Sequence, residues 1–152
     1  MGKRINFRAS NDPYMFQFFK RFVHHQGKGE EYYVDGSYVN ENVGVVIDFL
    51  NIEHTYEIFK VLENYWGGWN ATPSSQEMYE VAKKWEETYS SEIIDIGYDT
   101  IDFSLGRELS DEEIDKLFDE IRELNAEANC RGGFETLRTI IKKEQMFCIW
   151  WD

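Results

Sequence analysis

The chain closes on Phe147-Cys148-Ile149-Trp150-Trp151-Asp152. Chain ends usually fray, but each large apolar side chain left in water forfeits roughly 1.5–3 kcal/mol of burial. The run is short, aromatic and without helical spacing, so it predicts a buried strand. A buried last strand needs neighbours formed earlier in the chain. That need constrains the fold more than any other feature.

Those neighbours can be sought in order. Lys3 to Arg8 alternates, with Ile5 and Phe7 on one side and Arg4, Asn6 and Arg8 on the other, as a half-buried strand does. Asp12 and Pro13 suit the start of a helix, and Met15, Phe18, Phe19, Phe22 and Val23 give it one apolar face. His24 and His25 end it; neighbours on a helix point in different directions, so a cation at the helix C-terminus is expected rather than a metal ligand pair. Residues 32–39 read as a hairpin turning at Asp35-Gly36, a turn at Asn40-Glu41-Asn42 follows, and Val43 to Phe49 reads as a central strand. Residues 53–65 read as a second helix with Tyr56, Phe59, Leu62 and Trp66 inward and His54 exposed near its start.

Gly67-Gly68-Trp69-Asn70 interrupts the pattern with a tight turn. A helix restarts at Thr72-Pro73, or at Ser74 with Glu77 as a capping box, and buries Met78, Val81, Ala82, Trp85 and Tyr89. Glu92–Ile96 and Thr100–Leu105 are two strands joined at Gly97-Tyr98-Asp99. Ser110 and Glu113 cap a long helix, 110–127, with Ile114, Leu117, Phe118, Ile121 and Leu124 inward. A last helix carries Phe134, Leu137, Ile140 and Ile141. This order predicts one α+β domain over 1–152, a largely antiparallel sheet with helices packed on it and a buried C-terminal strand.

The net charge is −13 and uneven: residues 1–30 hold six Lys/Arg against two acids, whereas residues 71–152 hold nine against 20. Such a C-terminal part repels nucleic acid and attracts a basic protein. The outer face of helix 110–127 concentrates the charge in Asp111, Glu112, Asp115, Asp119, Glu120, Glu123 and Glu127, relieved by Lys116 and Arg122. Solubility alone also accounts for acidic surface. No apolar run approaches the roughly 20 residues that span a bilayer. The N-terminus turns polar too soon for a signal peptide, and Cys130 and Cys148 are too few for a disulfide framework. The expectation is a cytoplasmic protein with reduced thiols.

Nothing in the spacing names a reaction. His24, His25 and His54 lie in the first half and both thiols in the second, and there is no CxxC, HExxH, P-loop or GxGxxG. A carboxylate pair such as Asp99 and Asp102 can bind a metal or act as acid and base. With 29 acids in the chain such pairs arise by chance, so no catalytic residue, metal site or cofactor is assigned.

From Gly67, Gly68, Trp69, Asn70 and Pro73, through Trp85 and Tyr89, the strand Asp99-Thr100-Ile101-Asp102-Phe103 and the ending Ile149-Trp150-Trp151-Asp152, the chain resembles a bacterial family described as domain of unknown function 4253. The resemblance covers roughly residues 65–152. It departs at Ser90, where the family usually has Gly, and at Ala128-Asn129-Cys130-Arg131, where it usually has Phe-Cys-Pro-Asp. It implies a bacterial or phage-associated cytosolic protein and no reaction. The functional expectation is a non-catalytic immunity- or antitoxin-type protein that blocks a basic toxin domain through the acidic helix, with Trp69 or Tyr98 as aromatic anchor. The alternatives are a phage-type acidic inhibitor mimicking nucleic acid, and an uncharacterised enzyme or metal-binding protein.

Overall fold

The computed structural model describes residues 2–8, 34–40, 44–63, 66–67 and 71–152. Its elements are, in chain order, β1 (Lys3–Arg8), β2 (Val34–Asn40), β3 (Gly44–Phe49), a 3-10 turn (Thr55–Glu57), α1 (Ile58–Val61), α2 (Ser75–Tyr89), β4 (Ser91–Ile96), β5 (Thr100–Leu105), α3 (Asp111–Glu123), β6 (Glu127–Ala128), α4 (Gly133–Glu144) and β7 (Met146–Trp150). The strands form one sheet in the order β2-β3-β1-β4-β5-β7-β6. Every pairing is antiparallel except that of β1 with β4. The architecture is α+β, as the order of elements predicts.

The terminal run is paired on both sides, with β5 and with β6. Its apolar character hides an alternation: Phe147, Ile149 and Trp151 are buried, whereas Met146, Cys148 and Trp150 are half-buried on the other face. The C-terminal strand is buried as predicted, with one of its faces in the core. Inside, the Phe147 and Phe103 rings stack at 4.6 Å and Trp85 meets both edge-on, at 5.7 and 5.4 Å. Trp151 packs edge-on against Trp66. The indole N–H groups of this core are all satisfied: Trp151 donates to the Leu124 carbonyl, Trp66 to the Gly97 carbonyl and Trp85 to Glu120.

The helix starts follow local chemistry. Ser74 caps α2 by accepting from the Glu77 amide at 3.1 Å. Ser110 and Glu113 cap α3 reciprocally, at 3.2 and 3.1 Å. Four expectations need correction. Asp35-Gly36 is no hairpin turn: β2 runs through it and absorbs the glycine in a bulge before Tyr38. β3 lies second from the β2 edge rather than at the centre.

The predicted helix 53–65 reduces to a 3-10 turn and the single turn of α1. There the buried Ser75 hydroxyl lies within hydrogen-bonding distance of the Leu62 and Trp66 carbonyls, so the chain bends towards α2. A Cβ at Gly67, φ +93°, would stand 2.7 Å from the Pro73 carbonyl oxygen, so this turn requires glycine. Finally, the acidic helix stops at Glu123. Asn125 takes the left-handed conformation that ends helices, and Glu127 belongs to β6, a strand the periodicity did not predict. The helix expected over 12–23, with His24 and His25, lies outside the described residues, as do Trp69 and Glu41 and Asn42 of the predicted turn.

Candidate functional site

The acidic face of α3 is the site the composition points to, and its residues do not share one fate. Glu112 and Glu123 are exposed. Asp111 pairs with Lys142 and Arg138 of α4, and Asp115 also pairs with Arg138. The hydrogen bond from Lys142 is the main reason the Asp111 carboxyl sits below its ordinary range. Asp119 pairs with Arg122 one turn along, at 3.2 Å. The ridge is therefore acidic but partly neutralised by the basic last turns of α4.

Glu120 is not on that ridge. It is buried, and accepts from the Tyr89 hydroxyl at 2.6 Å, the Trp85 indole at 3.1 Å and the Lys84 ammonium at 3.1 Å. Burial alone would raise its pKa, but these three donors outweigh it and lower the value. Helix periodicity places residue 120 between the inward and outward stripes; only the position of α2 turns it inward. Tyr98 is half-buried in the β4–β5 turn beside Asp99, to whose carboxylate its hydroxyl donates.

A second cluster crosses the sheet face opposite the core. Asn6, Asp95, Asp102 and Cys148 stand side by side on β1, β4, β5 and β7, each in register with the next. Arg8 reaches over this row and donates to Asp102 at 2.8 Å and Asp95 at 3.3 Å, while Asn6 donates to Asp95 at 3.1 Å. These bonds all fall on the Oδ2 atoms. The Oδ1 atoms of both carboxylates are shielded from solvent and have no hydrogen-bond partner among the described residues. Burial raises the Asp102 pKa, the Arg8 charge opposes the rise and the Asp95 charge adds to it.

The carboxylate beside Asp102 is thus Asp95, not Asp99. The signal was obscured twice. A bulge between Ile93 and Asp95 breaks the alternation of β4 and turns Asp95 outward. The parallel contact that brings Arg8 and Asn6 alongside joins residues almost ninety positions apart.

The remaining nucleophile candidates are subdued. Burial, with the Asp102 charge next, pushes the Cys148 thiol up to about 11, and its Sγ donates to the Asn129 carbonyl at 3.1 Å. Burial also raises Cys130. Neither is a thiolate at neutral pH, the form that attacks. His54 is exposed, with Nδ1 2.5 Å from Glu86. No group of three or more His, Cys, Asp or Glu suited to a metal ion occurs among the described residues, and no described helix is long and apolar enough to cross a membrane.

Comparison with known proteins gives one finding. The model of a family described as a domain of unknown function (DUF4253) matches residues 47–152, a wider span than the motifs alone suggest. No curated protein and no solved structure matches the chain.

Proposed function

We propose, for a chain that belongs to the DUF4253 family, a non-catalytic role: an immunity- or antitoxin-type protein that neutralises a basic toxin domain in the cytoplasm by stoichiometric binding. The observation that carries this reading is the outer ridge of α3. Glu112, Asp115, Asp119 and Glu123 are all exposed there, on a helix whose opposite side, Ile114, Leu117, Phe118 and Ile121, is buried. Of these acids, Glu112, Asp119 and Glu123 make no tie to another element among the described residues, which leaves them available to a partner. A basic surface approaching the ridge is attracted over roughly a Debye length and is held more weakly as salt rises.

The test is co-expression with a basic toxin domain encoded beside this chain, followed by charge reversal. Asp115 is fastened to Arg138, so the informative substitutions are Glu112→Lys, Asp119→Lys and Glu123→Lys together. The triple variant should fold as the parent does and weaken binding by about tenfold or more at physiological salt, chiefly through slower association. Undiminished binding would show that the ridge only faces solvent.

A further inference from the structure

Resting on that reading, we infer that the seat occupied by Arg122 is where an arginine side chain of the basic partner docks. Between α3 and α4 lies a surface cleft of ≈ 560 Å³. Two guanidinium groups already sit in it, each over a ring: Arg122 at 4.3 Å from the Phe134 centroid and Arg138 at 5.3 Å from that of Phe118. The two are held very differently. Arg138 is fastened between Asp111 and Asp115 and ties the helices together. Among the described residues Arg122 makes a single ion pair, with Asp119 of its own helix; its side chain is 53% exposed and that of Asp119 74%.

An exposed pair of this kind contributes little and exchanges readily. Glu135 lines the same cleft, is exposed, and makes no ion pair among the described residues. The Arg122 seat therefore offers an aromatic face and two carboxylates to one loosely held cation, and carries a net negative charge. A second guanidinium satisfies both features. Arginine suits it better than lysine, because a planar guanidinium stacks on the ring while bonding a carboxylate in its plane. Arg122 acts as a placeholder that keeps the ring covered until the partner arrives.

The experiment uses the full chain at physiological salt, with nona-arginine and nona-lysine peptides as probes and amide chemical shifts followed by NMR. The parent should prefer nona-arginine, with shifts centred on residues 119, 134 and 135. Arg122→Gln vacates the seat and should raise nona-arginine affinity by roughly two- to fivefold, the range of an exposed cation–π contact, with a smaller rise for nona-lysine. Phe134→Leu, which keeps the apolar contact, should remove the preference between the peptides. Equal binding of the two peptides by the parent, or an Arg122→Gln variant whose rise is the same for both, overturns the seat. If nona-arginine binding then still falls on reversal of Glu112, Asp119 and Glu123, the acidic-ridge reading stands without it. If neither peptide binds and the toxin domain does not co-purify, both fall.

Discussion

Ser90 ends α2 with φ of 57°, the left-handed region, and its amide closes the helix on the Glu86 carbonyl at 3.0 Å. A side chain in that conformation costs roughly 1–2 kcal/mol, which glycine does not incur. The family resemblance places glycine at this position, and the dihedral explains why. Ser90→Gly should therefore stabilise the fold by about 1 kcal/mol, read as a higher denaturation midpoint at unchanged slope. A neutral or destabilising outcome would mean that the Ser90 side chain makes up for the strain. Glu120 shows the same dependence of a residue on its surroundings. As one more acid on an acidic helix it looks solvated; its Trp85 and Tyr89 partners make it an internal tie between α2 and α3.

Among the elements, β4 does most to shape the second face of the sheet. Its bulge sets Asp95 opposite Asp102, and its parallel contact with β1 brings in Arg8 and Asn6. This gives a pH dependence of definite sign. The folded chain holds the Asp102 proton to higher pH than the unfolded chain does, because burial raises the carboxyl above its ordinary 3.8. The stability linked to this proton is full below the unfolded value and is lost as pH rises through the folded one. Glu113 acts in the opposite sense. The hydrogen bond from Arg107 leads in holding its carboxyl down at about 2, so its contribution is present above its ordinary 4.5 and is lost as pH falls. The diagnostic quantity is thus the difference in unfolding free energy between the parent and Asp102→Asn, followed from pH 3 upward. That difference should shift in favour of the Asn variant as pH rises; a constant difference would show that Asp102 ionises as it does in the unfolded chain.

For the whole molecule, β7 pairs with β5 and β6 while its side chains complete the core, so the last residues hold the segment at Trp66 together with elements that follow it. Trp151 meets Trp66, donates its indole N–H to the Leu124 carbonyl and gives its amide N–H to the Asp99 carbonyl. Trp151→Ala should cost roughly 3–5 kcal/mol, the transfer and cavity terms of a buried aromatic ring, a large part of the ~5–15 kcal/mol that holds a domain together. Trp150→Ala, on the half-buried face, should cost clearly less. Equal costs in urea denaturation would contradict the alternation seen along β7.

Local chemistry was legible in the sequence wherever a few adjacent residues decide it. The strands at 3–8, 92–96, 100–105 and the terminus, the capping residues Ser74 and Ser110, and the apolar stripes of α2, α3 and α4 all follow from side-chain periodicity and terminal hydrogen bonds, which act within one or two turns. The sequence by itself also determined the sign of the charge and where in the chain it concentrates. What it could not determine depends on partners distant along the chain. The strand order, the passage of β2 through Asp35-Gly36, the shortness of α1, the inward turn of Glu120 and the pairing of Asp102 with Asp95 each depend on which surface lies opposite. Hydrophobic burial selects that surface by total area and shape, not by any local pattern, so only the tertiary structure decided them.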